Sequence, residues 1–113
     1  MKLAEVVEQL DLDVKTGSER LDTVVTRGYA SDLLSDVMGN ALEGDLWVTL
    51  QTHQNIVAVA VMKSISGVIL VNGRVPQEET VQKAVSEKIP IMVSNMPAFE
   101  LIGRLFQLGI SGK

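Results

Sequence analysis

The spacing of apolar residues changes period several times along the chain, and each change marks an expected element. Leu3, Val6, Val7 and Leu10 recur at helical spacing, so residues 2–10 read as an amphipathic helix with Lys2, Glu5, Glu8 and Gln9 facing water. Leu12 to Lys15 alternates instead, which predicts a short strand closed by Thr16-Gly17-Ser18. Val24-Val25-Thr26 is a second β-like run, stopping at Gly28. From Ser31 to Met38, the residues Leu33, Leu34, Val37 and Met38 share one helical face behind a Ser31 or Asp32 cap. Gly44-Asp45 then turns the chain into a run of β-branched and aromatic residues.

The rest of the pattern is organised around Leu46 to Arg74. Leu46-Trp47-Val48-Thr49-Leu50 ends in polar, cap-competent residues at Gln51 to Asn55, and a second run around Val68 to Val71 ends in Asn72-Gly73. A strand, crossover, strand unit of this kind brings both polar ends to one edge of a parallel sheet, the edge at which open α/β sheets usually bind ligands. The intervening Ile56 to Met62 alternates at Val57, Val59 and Val61 as a strand would. Its place between two strands that need a connection of about a dozen residues predicts a helical crossover. Pro76 opens the next helix, with Val81, Ala84 and Val85 as its inner stripe, and Pro90 ends it before the strand Ile91-Met92-Val93. Behind a Ser94 or Asn95 cap, a last helix should turn Ala98, Leu101, Ile102, Leu105 and Leu108 inward, with Phe99 and Phe106 widening the stripe and Gly109 stopping it. The expected architecture is one domain over residues 1–113: a layered α/β fold with a mixed, mostly parallel sheet of about five strands flanked by helices.

Composition narrows what such a domain does. The 113 residues are 46% hydrophobic and 21% charged, an ordinary globular balance. Without cysteine there is no disulfide, thiolate metal site or cysteine nucleophile, and the expected location is cytoplasmic. The first residues lack the apolar core of a signal peptide, and no apolar run approaches the roughly 18 residues of a membrane span, so no membrane partner is expected. A formal charge of −4, with ten Lys and Arg scattered singly, offers no track for a phosphate backbone, so no nucleic-acid partner is expected.

Candidate chemistry gathers at the two polar strand ends. His53 is the only histidine, and its imidazole can serve as an acid, a base or an anion donor near neutral pH; a surface hydrogen bond explains it as well. Gln51, Thr52 and Asn55 can present amides and hydroxyls beside free N–H groups of the following helix, or can simply cap it. Asn72 and Gly73 allow close backbone approach and Arg74 can hold a carboxylate or phosphate in two places, while a plain turn before Pro76 accounts for the first two equally. Ser31, Asp32, Ser35 and Asp36 suit a capped first turn as well as a cation. Neither a phosphate-binding glycine loop, nor a nucleophile elbow, nor a zinc pattern occurs, so enzyme chemistry has little to stand on and no metal or cofactor is expected.

The run Gly28 to Met38, followed by Gly44 to Ala60, resembles stand-alone proteins of the DRTGG domain family, and the likeness extends over nearly the whole chain. Members of that family also occur within some phosphotransacetylases and beside CBS domains in pyrophosphatases, and the amino-terminal domain of HPr kinase/phosphorylase has a similar fold. The resemblance implies a regulatory or dimerising module rather than a kinase. This chain departs from the name-giving motif: Thr52-His53 stands in place of Asp-Arg, and Asn72-Gly73-Arg74 in place of Thr-Gly-Gly, which keeps polar groups at the edge but changes their charge.

The expected function is a non-catalytic regulatory module binding a small anionic ligand or a partner protein at residues 51–55 and 72–74. Two alternatives stand beside it: a purely structural homodimerisation protein, and an enzyme acting on a phosphorylated metabolite through His53 and Arg74. A homodimer is expected on any reading that leaves Ile56 to Met62 apolar on every side, with Ala58, Ala60 and Met62 facing the second copy.

Overall fold

The computed structural model covers residues 1–113. Its helices are α1 (Leu3–Leu10), α2 (Leu34–Asn40), α3 (Asn55–Met62), α4 (Glu78–Glu87) and α5 (Ala98–Gln107), and its strands are β1 (Asp13–Thr16), β2 (Arg27–Ala30), β3 (Asp45–Thr49), β4 (Gly67–Leu70) and β5 (Ile91–Val93). A single 3₁₀ turn, Ser18–Arg20, follows β1. The strands form one sheet in the order β1-β5-β4-β3-β2; β2 to β5 run parallel, and β1 joins β5 antiparallel.

Alternation along the central strands divides the interior into two layers. Trp47, Val68, Leu70, Ile91 and Val93 face one side, where α2, α3 and α4 cover them. Leu46, Val48, Ile69, Val71 and Met92 face the other, under α1 and α5. Strands buried on both faces read as unbroken apolar runs, which is why β3 and β4 carry no polar positions before their ends.

Four elements differ from the sequence pattern, each for a local reason. The second strand lies at Arg27–Ala30, and Val24 makes only an isolated bridge to Lys2. Its register is held by Arg27, whose guanidinium grips Asp45 on β3 with Nε–Oδ1 at 2.8 Å and Nη2–Oδ2 at 2.7 Å. Helix α2 starts only at Leu34 and lacks a side-chain cap, because Asp32 is engaged across the sheet edge. On α4 the buried residues are Thr80 and Ala84 while Val85 is exposed: the Thr80 hydroxyl donates to the Thr52 carbonyl at 2.7 Å, which fixes the rotation of the helix. On α5, Leu101 and Leu105 are buried as expected, whereas Phe99, Ile102 and Phe106 remain at the surface.

Helix α3 adopts the crossover conformation and packs between α2 and α4. Those neighbours cover its flanks, so Ile56, Val57, Val59 and Ala60 are buried. Ala60 has no exposed surface at all; of the three side chains expected to face a second copy, only Ala58 and Met62 reach solvent.

Candidate functional site

Each parallel strand ends at the same edge, so the two polar segments picked out in the sequence come together there. β3 runs into Leu50-Gln51-Thr52-His53 and its neighbour β4 into Val71-Asn72-Gly73-Arg74. They are joined through backbone: Val71 N–H donates to Thr49 O at 3.2 Å and Gln77 N–H to Thr52 O at 3.2 Å. His53, Asn55, Asn72 and Arg74 are exposed along this edge, while Gln51, Thr52 and Gly73 are half-buried.

The hydrogen bonds sort these residues into framework and free groups. Gln51 is framework, its amide donating to the Asp32 carbonyl at 2.9 Å. The Thr52 carbonyl accepts from both Thr80 and Gln77. His53 Nδ1 accepts from the Asn55 N–H at 3.1 Å, so the imidazole itself closes the first turn of α3 and the ring proton of the neutral form sits on the outward Nε2. The seat expected for an anion on free helix N–H groups is already taken, since Ile56 N–H donates to His53 O and Val57 N–H to Gln54 O. Unengaged side-chain groups at the edge are then the Thr52 hydroxyl, His53 Nε2–H, the Asn55 and Asn72 amides, and the Arg74 guanidinium, which makes no ion pair.

The connections also define a switch point. The chain leaving β4 passes to α4 on one face of the sheet, while the chain leaving β5 passes to α5 on the other. In open α/β sheets such a divergence opens a ligand crevice. Here it is closed by Asn72 N–H to Met96 O at 2.9 Å and Gly73 N–H to Ser94 O at 2.8 Å. Asn72 and Gly73 hold left-handed conformations with φ of 57° and 64°, and a Cβ on Gly73 would stand 3.1 Å from Asn95 Oδ1. This turn builds the edge rather than a cavity.

Asp32, weighed in the sequence only as a cap or cation ligand, is the keystone of the edge. Its Oδ1 accepts from Thr49 Oγ1 at 2.8 Å and from Leu50 N–H at 2.7 Å, tying the end of β2 to the end of β3. Asp36, its supposed companion, is engaged elsewhere: it accepts the Tyr29 hydroxyl at 2.7 Å and the Asn40 amide at 3.0 Å. The bond from Tyr29, aided by Ser31 and Asn40, holds the Asp36 carboxyl below its ordinary value, and the same bond to Asp36 pushes the Tyr29 phenol up. At the opposite edge Asp45 raises the Arg27 guanidinium, first through their hydrogen bonds. Nothing in the sequence pairs Arg27 with Asp45 or Tyr29 with Asp36, because both pairs depend on the register between elements.

Several concavities mark the surface, and two of them, about 550 Å³ on the outer side of α5 and about 390 Å³ at Arg20, Glu43, Ser64 and Lys88, lie away from the polar edge. Another of about 300 Å³ runs between β2 and α5, lined by Ala30, Val48, Ile102, Leu105, Phe106 and Ile110 among others, and a smaller one of about 190 Å³ adjoins it at Ser31, Asp32 and Thr49. No helix is long and apolar enough to cross a membrane.

An open, mostly parallel α/β sheet covered on both faces, with a polar strand-end edge, defines the class of the domain. No family model matches the chain, and no curated protein is significantly similar to it. Among solved structures, it is similar to the CBS and DRTGG domains of the regulatory region of Clostridium perfringens pyrophosphatase, complexed with the activator diadenosine tetraphosphate. The TM-score is 0.75 at 17% identity, over 97% of this chain and 47% of that one. The chain therefore has a DRTGG-like fold and spans about half the length of that structure.

Proposed function

We propose that this chain is a non-catalytic regulatory module that takes a small anionic ligand, of the polyphosphate nucleotide class, on the exposed edge formed by residues 51–55 and 72–74. The observation that carries this reading is that unengaged donors, His53 Nε2–H and the Arg74 guanidinium, lie on the two segments that follow the neighbouring parallel strands β3 and β4, in a fold that also occurs in a nucleotide-bound regulatory region. The edge is open, so a ligand would lie across it and remain in contact with water. Charge-assisted hydrogen bonds from Arg74 would then supply most of the affinity.

Isothermal titration with diadenosine tetraphosphate, ATP and inorganic phosphate tests the reading. His53→Ala and Arg74→Ala should each weaken binding by about 1–3 kcal/mol. A bound ligand indifferent to both substitutions refutes the site. Self-association is a second reading, favoured by exposed apolar side chains on two helices: Met62 on α3, and Phe99 and Phe106 on α5.

A further inference from the structure

We infer that the outer face of α5 is the surface through which two copies of this chain associate, in an antiparallel pair related by a two-fold axis. The assignment rests on the self-association reading and names its face. Phe99 is 92% exposed, Phe106 69% and Ile102 39%. With Gly103 they occupy positions i, i+3, i+4 and i+7, a single stripe on the side of α5 away from the buried Leu101 and Leu105. Isolated exposed apolar residues are ordinary on a monomer, whereas a contiguous aromatic stripe marks an interaction surface.

Gly103 gives an independent indication. Glycine inside a helix is less favourable than alanine, and is retained where a positive φ or a close approach demands it. Gly103 has no positive φ, and no atom of the chain lies within 4 Å of where its Cβ would stand. Its smallness therefore serves nothing within this chain. It opens a concavity of about 550 Å³ bounded by Phe99, Ile102, Phe106 and Gln107, where another helix can approach closely.

The charges beside the stripe select the occupant. Glu100 and Arg104 flank it on the same side and pair within the chain, Nε to Oε1 at 3.3 Å, both well exposed. A two-fold axis through the region of Ile102 and Gly103 reverses residue order across the interface while keeping each flank on its own side. Glu100 of one copy then faces Arg104 of the other, twice, and Phe99 approaches Phe106. A parallel two-fold pairing would carry the two flanks to opposite sides of the seam, so that neither Glu100 nor Arg104 would meet a partner from the other copy. A surface with this order is complementary to itself, as an isologous interface requires.

Size-exclusion chromatography with light scattering, at tens of micromolar chain, tests the proposal. Wild-type protein should show the mass of two chains of 12.3 kDa. Phe106→Glu should show the mass of one with an unchanged circular dichroism spectrum, and Met62→Glu should remain a dimer. Gly103→Ala should raise the thermal midpoint of the Phe106→Glu monomer, yet weaken the wild-type dimer. Should Phe106→Glu fail to fold, the charge variants decide: Glu100→Arg and Arg104→Glu should each dissociate, and their equal mixture should recover the two-chain mass. A dimer that survives the α5 substitutions but is dissociated by Met62→Glu overturns the α5 face while leaving self-association standing. A single-chain mass for wild type at every concentration overturns both.

Discussion

Replacing Asp32 by alanine should loosen the candidate edge without opening the core, and the size of the effect can be worked from its bonds. One carboxylate oxygen accepts from Thr49 Oγ1 at 2.8 Å and from Leu50 N–H at 2.7 Å. A hydrogen bond to a charged group contributes about 1.5–3 kcal/mol when both partners are shielded. Asp32 is exposed, so water can replace it at Leu50 and that bond is worth the lower end or less. The Thr49 hydroxyl is different, since Thr49 is only 2% exposed and its oxygen already accepts from Gln51 N–H; losing Asp32 leaves its proton without an acceptor. The sum is a loss of about 2 kcal/mol for Asp32→Ala, and less than about 1 kcal/mol for Asp32→Asn, which keeps the oxygen but not the charge. Urea denaturation followed by the fluorescence of Trp47, the sole and fully buried tryptophan, gives the value from the midpoint at constant slope. Thr49→Val in the Asp32→Ala background should then cost much less than in wild type. An Asp32→Ala variant as stable as wild type, or additive with Thr49→Val, would refute the keystone role.

Two further outcomes follow from the paired groups. Asp36, held low by Tyr29, contributes stability that is present above the ordinary carboxylate range and lost as pH falls toward its folded value, whereas the raised Tyr29 phenol contributes stability present below its ordinary value and lost as pH rises beyond it. Tyr29→Phe should therefore lower stability by a constant amount near neutrality, with the gap to wild type closing at both pH extremes in urea titrations; a constant gap throughout would contradict the pairing. Asp45→Ala removes the buried half of a bidentate ion pair and also strands Leu42 N–H, which donates to it at 2.8 Å. Breaking such pairs costs about 3–5 kcal/mol, and because the Arg27 side chain keeps 18% of its surface exposed the lower end, about 3 kcal/mol, is expected from denaturant midpoints.

Much of this fold was legible because its signals are periodic. The apolar runs of β3, β4 and β5 and the helical spacing of α1 and α5 place five strands and five helices in the observed order, and the DRTGG resemblance agrees with the fold likeness. The polar strand ends at Gln51 to Asn55 and Asn72 to Arg74 do meet at one edge, since parallel pairing of β3 and β4 requires it. What stayed hidden depends on contacts between elements. The position of β2 is set by Arg27 meeting Asp45, the rotation of α4 by Thr80 reaching Thr52, and neither partner is near the other in sequence. Asp32 read as a helix cap because local spacing suits one, while in the fold a stronger set of donors lies on the next strand. Periodicity also assigned Phe99, Ile102 and Phe106 to the core: it reports the width of an apolar face, not how much of that face one chain can cover.

The regulatory role proposed for this chain depends on an anion binding across residues 51–55 and 72–74. Amide chemical-shift mapping of the ¹⁵N-labelled chain during titration with diadenosine tetraphosphate tests it most directly. Saturable shifts should concentrate at Thr52 to Asn55 and at Asn72 to Arg74, be abolished or strongly reduced in Arg74→Ala, and leave the amides of α5 unmoved. Saturable shifts confined to the concavity between β2 and α5, or no shifts at millimolar nucleotide, would contradict it.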